Sequence, residues 1–336
     1  MPDKLFDISA FREKTLPTEA EIIENWQGDI EKPVVSVLCN TYNQATYIED
    51  AFRGFLIQKT DFVFEVIVHD DASTDGTSDI VRGYAARYPK IFKPVIQTEN
   101  QYSQGKKIIG LSATYAKGEY IAICEGDDFW IDEKKIQLQT NILRSNPQIN
   151  LTVHNAFITN AKVDSPNKVF GVQYFKDRIV SVKNVFIVDG QFAPTASYFF
   201  RNIKLDFLSE YPDAPVGDFL LEVFLGTHGI YTSSEIQSVY RVGSDGSWTM
   251  DIASGASKRI ELYRKMLLTL SWMETKLPGN VKCWVKYKRK TIFNRLSLIY
   301  LKKSKRQSFL YLVKSLDFRN LKFRRVVVFF YYAIFR

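Results

Sequence analysis

Cysteine and histidine are scarce in this chain. Three residues of each type occur among 336, and Cys39, Cys124 and Cys283 lie far apart in the sequence. No histidine has a second histidine or a cysteine at zinc-ligand spacing, so zinc and thiol chemistry are poorly supported. Two of the cysteines lie inside apolar, strand-like runs, which is typical of reduced core residues in a cytosolic protein.

Two glycine-rich nucleotide motifs are absent as well. The sequence contains no Gly-x-x-x-x-Gly-Lys-Ser/Thr, and no Gly-x-Gly-x-x-Gly follows its first predicted strand. These absences argue against a P-loop and against a dinucleotide-binding fingerprint. A nucleotide bound to this chain would therefore be held through a metal ion and acidic side chains.

Long apolar runs are also missing. No uninterrupted apolar segment reaches the length of a bilayer span, and the chain does not open with a basic, then apolar, then small-residue leader. We therefore expect the protein to stay on the cytosolic side. The hydrophobic content of 46% is that of a folded globular protein.

Charge is unevenly distributed along the chain, whose net charge is +8. Residues 258–336 contain 21 basic and 3 acidic residues, a net charge of +18, whereas the first 257 residues contain 24 basic and 34 acidic residues, a net charge of −10. This asymmetry predicts two parts with different roles. We divide the chain into a helical N-terminal extension (1–32), a main domain (33–257, with halves 33–150 and 151–257) and a basic helical region (258–336).

The main domain shows strands alternating with helices. Thr18 and Glu21 have capping-box spacing, which predicts a short helix before it that reaches about Trp26. Strands are predicted over 34–39, 64–68, 91–97 and 120–124, with helices over 47–57, 78–88 and 105–115. This order predicts an α/β fold with a parallel, doubly wound sheet. Polar residues follow three of these strands, so they are expected to meet at one edge of the sheet.

A cluster of carboxylates follows the fourth strand. Glu125, Asp127 and Asp128 come directly after the apolar run 120–124. Carboxylates this crowded repel one another unless a cation lies among them, and hard oxygen ligands suit Mg²⁺ or Mn²⁺. The pattern therefore predicts a metal site. The alternative is that Asp127 and Asp128 cap a helix that starts near Asp132.

Several motifs together resemble family 2 glycosyltransferases of the GT-A fold. The resemblance is carried by the strand 34–37 leading to Thr41-Tyr42-Asn43, by the acidic turn 70–77, and by the segment 118–128. Their order and spacing are similar to that family from about residue 33 to residue 248. The resemblance implies a Rossmann-like, mostly parallel sheet flanked by helices, with the nucleotide-sugar site in the half 33–150 and the acceptor site in the half 151–257.

The resemblance also assigns roles to single residues. It implies that the nucleotide is held by Thr41, Tyr42, Asn43, Asp70 and Asp71, with Tyr42 near the base and Asp71 on the base edge. Asp128 would be the direct ligand of Mn²⁺ or Mg²⁺, Asp127 would lie toward the sugar or ribose, and Glu125 would stand where the family usually has an aspartate. A divalent cation would stabilise the charge that develops on the diphosphate leaving group.

The second half of the domain contains a further candidate catalytic residue. Strands are predicted over 151–158 and 191–201, and the latter resembles a strand that the family places near the acceptor. Asp218 resembles the family's general base, a carboxylate that takes the proton of the acceptor hydroxyl. The alternative is that Asp218 caps the helix predicted over 219–225.

The segment 240–248 resembles an element that closes over the diphosphate in the family. Gly243 stands where many members have a histidine, so a metal or phosphate contact from that position is not supported. Arg241 is expected to contact either the phosphates of the donor or a carboxylate with a structural role, and the sequence leaves both open.

The basic region interleaves lysines and arginines with aromatic and aliphatic residues, as in 284–290 and 324–332. This composition is typical of helices at the surface of an anionic membrane. A solvated helical bundle and a nucleic-acid-binding surface are the alternatives, and we expect no nucleic-acid partner.

Together these features predict a metal-dependent, inverting glycosyltransferase. Its donor is expected to be a nucleotide sugar, and its acceptor a hydroxyl of a cell-surface glycan or a lipid-linked molecule. The resemblance to the family implies UDP as the nucleotide, with a thymine nucleotide as the alternative. The expected location is the inner face of the cell membrane. Two other functions fit the same residues: a metal-dependent nucleotidyltransferase, and a non-catalytic protein that binds nucleotide sugars.

Overall fold

The computed structural model describes residues 6–160, 168–171, 176–211, 214–243, 255–301 and 303–316. These residues belong to two compact units. The first comprises Met1–Pro212 and Val216–Met250, and the second comprises Asp213–Pro215 and Asp251–Arg336. The predicted motif residues 244–248 and the basic stretch 324–332 lie outside the described residues.

Two short helices, α1 (Ile8–Glu13) and α2 (Glu19–Ile23), open the first unit. The predicted capping box is present at α2, where the Glu21 amide donates to Thr18 Oγ1 at 3.3 Å and the Thr18 amide donates to Glu21 Oε2 at 2.7 Å. The helix ends before Trp26, which instead packs its ring against Phe64 with the centroids 5.2 Å apart.

One sheet forms the centre of the first unit. Its strands are β1 (Val35–Thr41), β2 (Phe64–Asp70), β3 (Phe92–Ile96), β4 (Tyr120–Ile123), β5 (Phe129–Trp130), β6 (Leu151–Thr159), β7 (Lys168–Phe170), β8 (Arg178–Val180), β9 (Phe199–Arg201) and β10 (Ile230–Arg241). They run in the order β3-β2-β1-β4-β9-β6-β10-β5, with β7 beside β6 and β8 beside β10.

The register of the first four strands creates the edge at which the acidic residues meet. Strand β1 pairs in parallel with both β2 and β4, and β2 pairs in parallel with β3. Thr41 lies level with Asp70 at the ends of β1 and β2. β4 ends at Ile123, so residues 124–128 follow at the same edge. The predicted parallel arrangement of these strands is confirmed.

Helices cover the sheet of the first unit. They are α3 (Ile48–Leu56), α4 (Thr77–Arg87), α5 (Ile108–Ala113), α6 (Lys135–Ser145), α7 (Lys183–Ile187), α8 (Asp206–Glu210) and α9 (Gly217–Leu225). Helix α3 packs tightly on β5, with the Phe55 and Trp130 rings 4.9 Å apart. A Cβ atom at Gly54 would lie 2.7 Å from the Trp130 carbonyl oxygen, so this close approach requires glycine.

The strand predicted over 191–201 was too long. In the structure this segment contains a single 3₁₀ turn, Thr195–Ser197, followed by β9. The Gln191 and Thr195 side chains donate to a carboxylate of α9, so the first part of the segment follows that helix rather than a neighbouring strand.

The second unit is helical, as predicted for the basic region. Its described helices are α10 (Ala256–Lys276), α11 (Gly279–Tyr300) and α12 (Lys305–Ser315). Helix α11 buries an apolar stripe that includes Val281, Val285, Ile292 and Leu296, the spacing of one helix face. In the described part of the chain, no helix combines the length and the apolarity needed to cross a membrane.

Candidate active site

The loops that follow β1 and β2 are joined by hydrogen bonds. The Asn43 amide donates to Ser73 Oγ at 2.9 Å, and Asn43 Oδ1 accepts from the Thr74 amide at 2.8 Å. Asn43 has a φ of +52°, which asparagine tolerates better than most residues. Tyr42 lies between Thr41 and Asn43 in the sequence. Thr41 is buried, whereas Tyr42 is 46% exposed. An aromatic ring is thus presented at the sheet edge, where nucleotide binding was predicted.

Asp70 and Asp71 are adjacent but make different contacts. Asp70 is fully buried and accepts hydrogen bonds from the hydroxyls of Ser73 and Ser78, which build the turn from β2 into α4. Asp71 accepts from the backbone amides of Gln101 and Tyr102 at 2.7 and 3.0 Å. Both carboxylates therefore organise loops at the predicted site, and their contacts with a nucleotide remain predictions.

The acidic turn after β4 is anchored to the end of β1. The Gly126 amide donates to the Asn40 carbonyl at 3.0 Å, and the Asp128 amide donates to the Glu125 carbonyl at 3.0 Å. A Cβ atom at position 126 would lie 2.6 Å from Gln44 Oε1 and 2.9 Å from Thr41 Oγ1. A larger residue would have to displace these side chains, so the turn favours glycine at this position.

The helix-cap interpretation of the acidic turn is wrong. Helix α6 begins at Lys135, and its cap residue Lys134 makes no side-chain capping bond. Asp127 and Asp128 instead precede the short strand β5. The carboxylate near the helix start belongs to Asp132, which accepts from the Lys134 amide at 2.9 Å.

Asp128 is almost fully buried and is only half satisfied. Its Oδ1 accepts from the Arg241 backbone amide at 2.9 Å, whereas its Oδ2 is buried with no hydrogen-bond partner among the described residues. Burial raises the pKa of Asp128 well above its usual range, Asp127 and Asp218 raise it further, and Arg241 opposes the rise. An unpaired buried carboxylate oxygen is costly, and a cation would satisfy it.

Asp218 lies in the first turn of α9, two residues after the cap residue Val216. It is therefore not the helix cap. Its Oδ2 accepts from Gln191 Nε2 at 3.0 Å and from Thr195 Oγ1 at 2.9 Å. Burial raises the pKa of Asp218, and the bond from Thr195 acts in the opposite direction.

The structure brings four of the predicted acidic residues within electrostatic reach of one another. Burial raises the pKa of Glu125 well above its usual range, and Asp218, Asp127 and Asp128 each raise it further. The residues predicted to bind the metal and the predicted base, which come from separate parts of the sequence, thus belong to one acidic site.

Glu222 is a buried residue of this region that the sequence analysis missed. Its Oε1 accepts from the Tyr198 hydroxyl at 2.6 Å and from the Ala193 amide at 3.1 Å. It lies one helical turn after Asp218, so the spacing of two acids on one helix face was the available signal. Glu222 fixes the chain around residues 193–198 against the helix that carries Asp218.

The Arg241 guanidinium contacts protein groups on several sides. It forms an ion pair with Asp50 and donates to the Asp127 carbonyl oxygen at 2.6 Å. It also lies 4.7 Å from the ring centroid of Phe129 and 5.2 Å from that of Tyr47. These contacts match the structural-carboxylate alternative, and a phosphate contact from Arg241 remains a prediction.

The carboxylates of the acidic turn fit a divalent ion that would take its remaining ligands from a substrate phosphate. Within the described ranges, no group of three histidine, cysteine or acidic side chains is arranged to hold a metal ion alone. Mg²⁺ is commonly held by one or two carboxylates together with substrate phosphates. Oδ2 of Asp128, which has no hydrogen-bond partner in the described part of the chain, suits such a site.

Comparison with known families gives an independent result. The sequence model of the family described as glycosyl transferase family 2 matches residues 36–203, which run from β1 to beyond β9. The putative teichuronic acid biosynthesis glycosyltransferase TuaG of Bacillus subtilis is 35% identical over 111 residues, which are 33% of this chain and 40% of TuaG. The chain spans about a third of the length of the first curated relatives it matches.

Two solved structures share the fold. Staphylococcus aureus TarS 1–349 in complex with UDP-GlcNAc has a TM-score of 0.59 at 18% identity, over 85% of this chain and 82% of that one. The mannosyltransferase PcManGT of Pyrobaculum calidifontis in complex with GDP-Man and Mn²⁺ has a TM-score of 0.51 at 17% identity, over 96% of this chain and 84% of that one. The predicted GT-A fold is confirmed.

Proposed function

We propose, because this chain belongs to glycosyl transferase family 2, that it transfers a sugar from a nucleotide-diphosphate sugar to a hydroxyl group. The observation that carries the proposal is the acidic site itself. Burial raises the pKa values of Glu125 and Asp128, Asp127 and Asp218 raise both further, and Asp128 keeps one buried oxygen that has no partner among the described residues. Such a site disfavours a bare diphosphate and suits one that arrives with a divalent cation.

The acidic turn would bind the donor's nucleotide through a divalent ion. Asp128 would hold Mn²⁺ or Mg²⁺, with Asp127 and Glu125 beside it. When bound, the ion would neutralise the charge that develops on the diphosphate leaving group. TarS with UDP-GlcNAc and PcManGT with GDP-Man and Mn²⁺ support a nucleotide-sugar donor. We propose UDP as the nucleotide, with Tyr42 near its base.

Asp218 is the proposed general base of an inverting reaction. In a single displacement, a carboxylate takes the proton of the acceptor hydroxyl while that oxygen attacks the anomeric carbon, and the configuration inverts. Gln191 and Thr195 hold one oxygen of Asp218, which would orient the other. The raised pKa of Asp218 suits a base that must accept a proton and later release it.

The acceptor is proposed to be a cell-surface glycan or a lipid-linked molecule, reached at the inner face of the cell membrane. The name of TuaG, which refers to teichuronic acid biosynthesis, supports a cell-surface glycan. The basic second unit supports binding to a membrane surface. Its helices are rich in lysine and arginine, and two of their leucines, Leu268 and Leu298, are 60% and 62% exposed. Each basic residue near an anionic surface contributes about 1 kcal/mol of attraction.

The activity is tested by incubating the full chain with Mn²⁺ and a panel of UDP and GDP sugars, with a lipid-linked glycan as acceptor. The expected product contains a new glycosidic bond of inverted configuration. A product in which a nucleotide is joined through a phosphorus atom, with no glycosidic bond, would contradict the proposal and identify a nucleotidyltransferase.

Membrane attachment is tested by sedimentation with vesicles of phosphatidylglycerol and of phosphatidylcholine. We expect binding to the anionic vesicles that weakens as salt is added. Lys282→Gln with Lys286→Gln should reduce it, whereas the matched pair Lys90→Gln with Lys93→Gln in the first unit should not. Equal binding to both lipids, or an equal loss in both pairs of variants, would contradict attachment through the second unit.

A further inference from the structure

Asp50 is a buried carboxylate that joins three elements of the first unit. It lies in α3, and its side chain is 7% exposed. Arg12 of α1 donates through Nε to Oδ1 at 2.9 Å and through Nη2 to Oδ2 at 2.6 Å. Arg241, at the end of β10, donates to the same Oδ2. Two guanidinium groups from distant parts of the chain thus meet at one carboxylate.

Arg241 extends this network to the acidic turn. Its Nη1 donates to the Asp127 carbonyl oxygen at 2.6 Å, and its backbone amide donates to Asp128 Oδ1 at 2.9 Å. The guanidinium also lies close to the rings of Tyr47 and Phe129. One residue therefore holds both the backbone and a side chain of the acidic turn.

The consequence for Asp128 is geometric. A carboxylate is planar, so fixing Oδ1 and the backbone of the turn also fixes the direction of Oδ2. That second oxygen is buried and has no hydrogen-bond partner within the described ranges. The orientation of the proposed metal ligand thus depends on where Asp50 holds Arg241.

We propose that Asp50 is a positioning residue for Asp128, acting through Arg241, and that Arg12 completes the network, so that helix α1 is functionally part of the site. This inference rests on the proposed function, in which Asp128 holds a divalent ion. Groups that orient a metal's ligands typically contribute about 10- to 100-fold in metal affinity or activity. A purely structural ion pair would change stability but leave metal affinity intact.

The first test measures the affinity of the full chain for Mn²⁺ at saturating UDP by isothermal titration calorimetry. Asp50→Asn should weaken Mn²⁺ binding by about 10-fold or more, and Arg12→Met should weaken it in the same direction. Since Arg12 acts through Asp50, the double variant should bind no more weakly than Asp50→Asn alone. The matched control is Arg82→Met, which removes a surface pair with Asp79 and should leave the affinity unchanged.

A second readout does not depend on any ligand. Amide hydrogen exchange of the free protein should be faster at Gly126, Asp128 and Arg241 in Asp50→Asn and Arg12→Met, with strand β6 unchanged. If Asp50→Asn does not fold, Arg12→Met answers the question, because the Arg12 side chain is 48% exposed and its removal is less disruptive.

The outcomes separate this inference from the proposed function. If the wild type binds no Mn²⁺ in the presence of UDP, the proposed role of Asp128 as a metal ligand is overturned. Faster amide exchange of the turn in the two variants would then support only the link from Asp50 to the turn. Folded variants with unchanged Mn²⁺ affinity and unchanged exchange would overturn the inference while the proposed function stands. Strictly additive effects of Asp50→Asn and Arg12→Met would also overturn it.

Discussion

The backbone amide of Arg241 donates to Oδ1 of Asp128 at 2.9 Å, although 113 residues separate the two in the sequence. The bond ties the end of β10 to the turn after β4. The second half of the domain thus sets the orientation of a carboxylate that the first half supplies. Asp128 is held by one oxygen, and its other oxygen has no described partner.

Replacing the proposed base should remove turnover without removing the donor site. We expect Asp218→Asn to lower kcat by about 10²- to 10⁴-fold, the usual contribution of a general base, because asparagine cannot accept the hydroxyl proton. The affinity for UDP with Mn²⁺ should change little. Asp79→Asn is the matched control, because Asp79 is an exposed acid in the first turn of α4. This variant should retain full activity. Unchanged turnover in Asp218→Asn would mean that another group takes the proton.

The glycine of the acidic turn offers a test of local packing. Gly126→Ala should destabilise the fold by about 1–3 kcal/mol, because its Cβ would be forced against Gln44 and Thr41. Urea unfolding followed by circular dichroism measures the change. Gly83→Ala is the control, since that position in α4 has open space around the new atom, and it should stabilise by about 0.5–1 kcal/mol. Equal stability of the two variants would refute the packing argument.

Asp71 should control the order of the loop after β3. In Asp71→Asn, the new amide nitrogen cannot accept a hydrogen bond, so one of the bonds from Gln101 and Tyr102 is lost. We expect a loss of about 1–3 kcal/mol in stability and faster amide exchange at residues 101 and 102. Weaker UDP binding should accompany it. Unchanged exchange at both amides would show that the carboxylate does not hold the loop.

Lys135 predicts a dependence of stability on pH. The side chain is fully buried, donates to Gln139 at 2.7 Å and lies 4.0 Å from the centroid of the Trp130 ring. Burial lowers the pKa of Lys135 to about 7, although Cys124 and Asp132 act to raise it. Between that value and the ordinary pKa of lysine, the unfolded chain binds the extra proton, so this residue makes stability rise with pH in that window.

The measurement is the free energy of unfolding of wild type and Lys135→Met between pH 7 and pH 10. Because one proton is involved, the wild type should gain up to ~1.4 kcal/mol per pH unit relative to the variant. The lysine therefore costs most stability near and below neutral pH. A difference between the two proteins that stays constant over this range would contradict a neutral, buried Lys135.

Local patterns predicted the elements that surround the site. The helix predicted over 47–57 is observed as α3, Ile48–Leu56, and the fourth strand predicted over 120–124 is observed as β4, Tyr120–Ile123. Both depend on contacts between near neighbours, with apolar residues at helical spacing in one case and a continuous apolar run in the other. The edge at which polar residues meet follows from parallel pairing of such strands.

The contacts that could not be predicted join distant parts of the chain. Asp50 meets Arg12 and Arg241, from which it is separated by 38 and 191 residues, and no periodicity encodes such pairs. Asp70 and Asp71 look alike in sequence, yet one builds a turn with serine hydroxyls and the other holds two backbone amides. The strand predicted over 191–201 was too long because bonds to Asp218 bend that segment toward α9.

The central claim is that Asp128 holds a divalent ion that binds the donor's diphosphate, and thermal unfolding with UDP or GDP, each with Mn²⁺ or with EDTA, tests it most directly. Wild type should be stabilised by one nucleotide only when Mn²⁺ is present, by ~2.7 kcal/mol at a ligand concentration 100 times Kd. Asp128→Asn should lose this stabilisation, whereas Asp79→Asn should keep it. Equal stabilisation in EDTA, or a full Mn²⁺-dependent shift in Asp128→Asn, would contradict the claim.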